Sequence, residues 1–516
     1  MDNMKPIFLV FILGSLFTSA GYSDNHASID PSNKTTYLKK PTGPYGVGFE
    51  DFHWVNQNAC PDFNFNGKNQ ADFSPENTKH CHEIVARIYY PTLAKSQPNT
   101  PYYPPLIASE QQTMPKQFPT ISKSDLKQLT KIKSFSSEKA AIIKDKQFPV
   151  LLFSPGFGCP TELYENFITE LVSQGYIVIG INTPFINLVA LPNGHIVRAA
   201  DFSTIKNFDK VVETKFVPLQ SQDLIYVYDK LHEAPQASNL FSNMDLKHIG
   251  VFGHSIGARA LADVAHAHPS FFQAIAPLDI GFDNTGQSLK KFITPVMYQI
   301  SSNRKQTSFI NRPIIFELGN NGYLVGISPN EKNTTYSQHM NFTDFSSLQY
   351  LPAYKAFYDH LKTQDMAAGF NLKLIAHNLT KKDIAALHKT TYVLSKQAET
   401  WSLFIYDINP YTPAIPLYFD INRIDGLPDA LAALANHPIG KLTEADIGPI
   451  KKIITSLNSS RAAFLGTGNG WEITDSINTY LVQFFNIYLK GEENPAFKKC
   501  IPLYKNTHIK CGLANV

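Results

Sequence analysis

Two hydrophobic rhythms alternate along the chain. Apolar runs at 150–153, 177–181 and 249–252, and a fourth at 272–278 broken only by Gln273, are separated by stretches at 163–174, 221–231 and 260–265, where apolar residues return every three or four positions. An unbroken apolar run suits a strand buried on both faces, and three-and-four spacing suits a helix with one apolar stripe. Strand and helix in this order predict a mainly parallel central sheet with helices on both sides, an α/β fold.

Other elements fall around this centre. Residues 47–54 and 84–90 predict two strands of an opening hairpin, and 92–146, with Pro101-Tyr102-Tyr103-Pro104-Pro105, reads as a long surface connection with short helices. Gly175 closes the helix over 163–174, and a loop then runs to about residue 216. A further strand is expected at 295–300, and 313–327 reads as a hairpin turning at Gly319-Asn320-Asn321-Gly322. Ile477, Tyr480, Leu481, Phe484, Phe485, Tyr488 and Leu489 give the helix predicted over 474–489 a face that must be buried. Residues 355–465 break the rhythm and read as an inserted, partly helical cap. The expected organisation is a leader at 1–20, a core at 41–354, the insert at 355–465, and 466–516 as a helix and tail completing the core.

Composition narrows the class. The chain has 516 residues, 43% apolar and 17% charged, the balance of a globular protein. Its net charge is +3 with no basic block, so nucleic acid is not an expected partner. Lys5, the apolar run 7–17 and Thr18-Ser19-Ala20 resemble an export signal cleaved near Ala20, too short for the roughly 20 apolar residues of a spanning helix. A secreted or periplasmic location is expected.

In an oxidising compartment Cys60 with Cys81 and Cys500 with Cys511 are the pairs expected to bridge, leaving Cys159 single, either a reactive thiol or, as the preferred reading, a small buried apolar residue. The His80-Cys81-His82-Glu83 cluster raises metal binding, but neighbours alternate sides in a strand and no second ligand pair is evident, so the bridge is the preferred reading. Asn-x-Ser/Thr sites occur at Asn33, Asn333, Asn341, Asn378 and Asn458.

The residues with the clearest chemistry are Gly253-His254-Ser255-Ile256-Gly257. Ile249, Val251 and Phe252 supply a strand before them, and Ala260, Leu261, Val264 and Ala265 a helix after them, ended by Pro269. A serine at such a strand-to-helix elbow projects its hydroxyl from the sheet, and the flanking glycines are expected to permit the tight turn. Ser255 is the candidate nucleophile. It needs a histidine to take its proton and an acid to orient that histidine, in the chain order Ser, acid, His.

His339, in a loop after the last expected core strand, is the candidate base, while His254, His266 and His268 are given structural roles. Asp279, at the end of the strand after the elbow, is the candidate acid, with Asp283 and Asp344 as alternatives. Asp344 reads first as a cap or a hydrogen-bond partner steadying the His339 loop. The developing oxyanion needs two backbone donors, for which Ile256 N–H and Phe157 N–H, in Ser154-Pro155-Gly156-Phe157-Gly158, are the candidates.

These segments resemble the platelet-activating-factor acetylhydrolase family of the plasma, lipoprotein-associated type, and its bacterial relatives among dienelactone-hydrolase-like esterases. The resemblance lies in Thr42 to Gly48, Arg87 to Pro91, Phe148 to Gly158, Gly253 to Ala258, Leu278-Asp279, and His339 with Phe342 and Asp344. It implies an α/β-hydrolase fold and cofactor-free, calcium-independent ester hydrolysis, typically of phospholipids with short or oxidised acyl chains. Two departures stand out: Pro155 occupies a position commonly histidine in the family, and 355–465 has no evident counterpart.

The expectation is therefore an exported serine ester hydrolase with Ser255, His339 and Asp279 as its triad, acting on a lipid or small ester with transient contact at a lipid surface. No cofactor or metal is called for. The apolar stretch 427–434 is one candidate for that contact, though a core helix of the cap explains it equally. The alternatives are a polyester- or triacylglycerol-directed esterase on the same triad, and a non-catalytic binding protein on a hydrolase scaffold.

Overall fold

The computed structural model describes residues 37–57, 82–94, 97–98, 100–102, 130–194, 196–197, 199, 208–233, 239–280, 292–301, 322–327, 339–348, 350–351, 371–375, 391–397, 400–406, 417–420, 469–504 and 507–511. The expected leader, Cys60, Cys81, Asp283 and 427–434 lie outside them.

Strands β1 (Gly46–Asn56) and β2 (His82–Thr92) pair antiparallel from Gly46 opposite Thr92 to Asn56 opposite His82. The core strands follow: β4 (Phe148–Ser154), β5 (Ile177–Asn182), β6 (Met244–His254), β7 (Ala274–Leu278), β8 (Val296–Ser301) and β9 (Gly322–Ile327). With β3 (Ser136–Glu138) and β14 (Thr507–Cys511) at the edges, the order across the sheet is β14-β9-β8-β7-β6-β4-β5-β2-β1-β3. The run from β5 through β4, β6, β7 and β8 to β9 is parallel throughout.

Alternation within β4 divides the core. Val150 and Leu152 face one layer with Leu224, Val227, Leu261 and Val264, whereas Leu151 and Phe153 face the other with Phe167, Leu171, Tyr480 and Phe485. The first layer is built from α2 (Val217–His232) and α3 (Ile256–Ala267), the second from α1 (Glu165–Ser173) and α4 (Gly470–Lys490). Asn469 caps α4 by accepting from Trp471 N–H at 3.0 Å, and Gly491 ends it at φ 70°. This is the α/β-hydrolase fold. From β4 the chain proceeds to β5 on one side, and from β6 to β7 on the other, so the crevice beyond the C-terminal ends of β4 and β6 is a topological switch point.

Several expectations change. The loop expected up to residue 216 contains helix at Phe208–Val211 and a wide turn at Val212–Phe216 that run straight into α2. In the wide turn Val217 N–H donates to Val212 O, an i-to-i+5 bond. Such a turn absorbs the missing donor and the ring of Pro218 without breaking the helix.

Of the expected hairpin at 313–327 only 322–327 lie within the described residues, and they form β9, whose two edges are taken by β8, parallel, and β14, antiparallel. The stretch 92–146 is not wholly a surface connection, since Tyr102, Ile132 and Phe135 are buried and β3 joins the sheet beside β1. Within 355–465 the described residues are strands rather than helices: β10 (Asn371–Ile375), β11 (Thr391–Gln397), β12 (Thr400–Tyr406) and β13 (Leu417–Asp420) form a separate sheet in that order. Thr391-Tyr392-Val393 and Trp401 to Tyr406 are rich in β-branched and aromatic residues, which favour strand over helix.

Cys500 and Cys511 form a disulfide with Cα atoms 6.0 Å apart, tying β14 to the segment after α4. Asn341 is fully buried, so this sequon presents no surface to a modifying enzyme. Among the described residues, no helix is long and apolar enough to cross a membrane.

Candidate active site

Ser255 sits between β6 and α3 at φ 57° and ψ −121°, a conformation that L-residues rarely adopt and that costs on the order of 1–3 kcal/mol. The strain is carried by the serine. Gly253 and Gly257 have ordinary φ, contrary to the expectation that they make the turn possible; they are required by close approach. A Cβ at Gly257 would lie 2.2 Å from Ser154 O, and one at Gly253 2.7 Å from the same atom. The elbow is thus pressed against the end of β4.

Across the sheet the pairing continues one residue past each strand. Ser255 N–H donates to Leu278 O at 3.1 Å, and Asp279 N–H to Gln299 O at 2.7 Å. Ser255 and Asp279 are thereby held at the same rim. Asp279 also has a positive φ, 39°, and is fully buried. Its Oδ1 accepts from Ser301 N–H at 2.9 Å and Ser301 Oγ at 3.1 Å, which leaves Oδ2 facing His339 Nδ1 at 2.5 Å. The His339 ring in turn lies 4.3 Å, centroid to centroid, from that of His254, the residue before Ser255. The structure therefore joins Asp279 to His339 and sets both beside the elbow.

His339 opens a 3-10 turn, His339–Phe342, anchored by Asp344. The Asp344 carboxyl group accepts from Glu165 N–H at 2.8 Å, Asn166 N–H at 2.9 Å and Tyr102 OH at 3.0 Å, and Asp344 N–H donates to Leu163 O at 2.6 Å. It satisfies the first donors of α1 and fixes the histidine loop to that helix, the capping role read from the sequence. Burial raises its pKa to about 8, opposed by the bonds from Asn166, Tyr102 and Glu165. Glu162, in the preceding turn, is raised to about 7 by burial, with Arg87 at 3.5 Å pulling the other way.

Of the expected oxyanion donors, Phe157 lies in the loop after β4 and Ile256 is the first residue of α3. A Cβ at Gly156 would be 3.1 Å from Ser255 Cβ, so the loop after β4 runs directly over the elbow. The Phe157 ring stacks on Phe216 with centroids 5.3 Å apart. His254, read as a packing residue, bonds through Nδ1 to Tyr164 OH at 2.9 Å, and the same phenol oxygen accepts from Gly156 N–H at 3.0 Å.

Tyr164, Asn187 and Gln220 also hold the loop and were not anticipated. As isolated polar residues in sequence they carry no periodic signal. His266 and His268 take structural places, stacked on Phe292 and Phe271. His82 pairs with Asp223 at 2.8 Å, and His80 and Cys81 lie outside the described residues; among the described residues no group of three or more His, Cys, Asp or Glu could hold a metal ion. Cys159 is buried, and burial pushes its thiol up to about 12.

Comparisons with known proteins set this geometry in context. No curated protein matches the chain. A solved structure of a ferulic acid esterase from Streptomyces cinnamoneus is similar at 15% identity and TM-score 0.47, over 92% of this chain and 99% of that one. Residues 31–183, a narrower span than the resemblance read from the sequence, match the family model of platelet-activating factor acetylhydrolase, isoform II. That stretch carries β1, β2, β4 and β5 together with the loop over Ser255, and it is there that the chain's likeness to the platelet-activating factor acetylhydrolase family is shown.

Proposed function

We propose that the chain is a serine ester hydrolase whose triad is Ser255, His339 and Asp279. The observation that carries this reading is the 2.5 Å bond from His339 Nδ1 to a fully buried Asp279, beside a serine held in strained backbone at a strand-to-helix elbow. A serine hydroxyl is a weak nucleophile at neutral pH. With Nδ1–H given to Asp279, the imidazole keeps its lone pair on Nε2, the form able to accept a proton.

In the proposed reaction Ser255 Oγ forms a bond to the acyl carbonyl carbon as its proton passes to His339 Nε2. Asp279 stabilises the resulting imidazolium. The tetrahedral oxyanion takes hydrogen bonds from Ile256 N–H and Phe157 N–H, and collapse breaks the ester bond as His339 returns the proton to the leaving alcohol oxygen. Water then repeats the sequence on the acyl-enzyme and releases the acid.

The match over residues 31–183 supports a lipid or small ester, with phospholipids bearing short or oxidised acyl chains as the finer proposal and brief contact with a lipid surface during turnover. Export is part of the same proposal. The Cys500–Cys511 bridge supports an oxidising compartment.

Ser255→Ala tests the reading: turnover of p-nitrophenyl acetate and labelling by a fluorophosphonate should both vanish while the unfolding temperature is kept. Retained turnover would refute it. Phosphatidylcholines graded by sn-2 chain length, run beside triacylglycerols and polyesters, then test the finer substrate proposal.

A further inference from the structure

We infer that Asn187, with Gln220 on the other side of the loop, is a positioning residue that aims the Phe157 N–H at the reacting carbonyl. This rests on the serine hydrolase reading and extends it to residues that touch neither substrate nor triad.

A peptide unit is planar and trans, so its C=O and the N–H that follows point in opposite directions. The candidate donor Phe157 N–H shares its plane with Gly156 C=O. That carbonyl accepts from Asn187 Nδ2 at 2.9 Å and from Cys159 N–H at 3.2 Å, and the Asn187 nitrogen also donates to Cys159 O at 3.0 Å, so the side chain holds both the carbonyl and the turn that returns to it. Fixing the carbonyl fixes the opposed N–H.

The neighbouring planes are held as well. In the preceding unit Gln220 Nε2 donates to Pro155 O at 2.9 Å, while Gly156 N–H donates to Tyr164 OH at 3.0 Å, so both ends of that plane are pinned. In the following unit Gly158 N–H donates to Ile186 O at 2.7 Å. Three successive planes thus have defined orientations.

The orientation of the Asn187 carboxamide is itself determined. Its Oδ1 accepts from Thr183 N–H at 2.9 Å, a group that can only donate, so the amide nitrogen must face the two loop carbonyls. Thr183 Oγ1 donates to Asp223 Oδ2 at 2.7 Å, and Asp223 lies three residues after Gln220, on the same face of α2. Asn187, Gln220, Thr183 and Asp223 are all at most 1% exposed. One helix therefore braces the loop directly through Gln220 and indirectly through Asp223, Thr183 and Asn187.

The test separates aiming from mere stability. Asn187→Asp keeps the shape and the oxygen facing Thr183 but sets a second oxygen against Gly156 O and Cys159 O; Asn187→Leu removes the donor; Gln220→Met releases the other side should either Asn187 variant fail to fold. Each is compared with Val227→Ala, a buried truncation on α2 chosen for a similar fall in unfolding temperature. The readouts are kcat and KM for p-nitrophenyl acetate and the inhibition constant of an alkyl trifluoromethyl ketone, which forms a tetrahedral adduct on the serine.

The expected result is a fall in kcat of up to about 10²-fold, the scale of losing one oxyanion donor, with KM little changed and the ketone weakened in proportion. Val227→Ala should keep wild-type kcat. The inference is overturned if the loop variants lose unfolding temperature as Val227→Ala does yet keep kcat and ketone affinity. Persistent turnover in Ser255→Ala would instead remove the reading beneath it, and that outcome is distinct.

Discussion

His339 Nδ1 lies 2.5 Å from Asp279 Oδ2, while the other oxygen of that carboxylate is taken by both donors of Ser301. The arrangement leaves little choice of tautomer. In Asp279→Asn the remaining oxygen is expected to stay with Ser301, so the new NH₂ faces Nδ1 and forces the imidazole proton onto Nε2. The expected outcome is a loss of about 10⁴-fold in kcat with an unchanged far-ultraviolet spectrum. A loss below tenfold would show that Asp279 does not orient the base.

Asp344 fastens the histidine loop to the start of α1 through three accepted hydrogen bonds. Asp344→Ala removes a helix cap and leaves buried donors without an acceptor, which should cost about 2 kcal/mol or more in urea unfolding. Turnover should fall too, because His339 lies only five residues upstream on the same loop. Unaltered stability would be incompatible with the capping role.

Glu162 and Asp344 keep protons in the fold that an unfolded chain releases, since burial lifts them from 4.5 to about 7 and from 3.8 to about 8. Their contribution is therefore fully present below the ordinary carboxyl values and is lost as pH rises through the folded ones. The unfolding temperature should decline between pH 4.5 and 8, and Glu162→Gln should flatten the part up to about pH 7. An identical pH profile in the variant would contradict the assignment.

Cys159 combines full burial with a thiol raised to about 12. The thiolate is the reactive form, so the native fold should shield it from Ellman's reagent. Cys159→Ala should leave the native thiol titre unchanged and lower the titre in guanidinium by one equivalent. A native titre that drops in the variant would show an accessible thiol.

Strands buried on both faces were legible because nothing in them needs to be polar: β4, β5 and the second half of β6 read as apolar runs. The elbow, Asp279 and His339 were legible from their places relative to those strands. Asn187 and Gln220 were not, because a buried carboxamide is defined by partners far away in sequence and looks like any surface residue when read alone.

β14 escaped for a related reason. Thr507–Cys511 is short, and only its neighbour β9 makes it a strand. The strands at 371–375, 391–397, 400–406 and 417–420 carry no signal in the insert's break with the surrounding rhythm; their signal is its own β-branched and aromatic content.

The Cys500–Cys511 bridge secures the strand that covers the outer flank of β9. Reductants would therefore do more than cleave a crosslink: by loosening β14 they would uncover a row of backbone donors and acceptors able to recruit a strand from another molecule. The oxidation state of two sulfur atoms thus helps decide which strand, β14 or β9, forms that edge of the sheet.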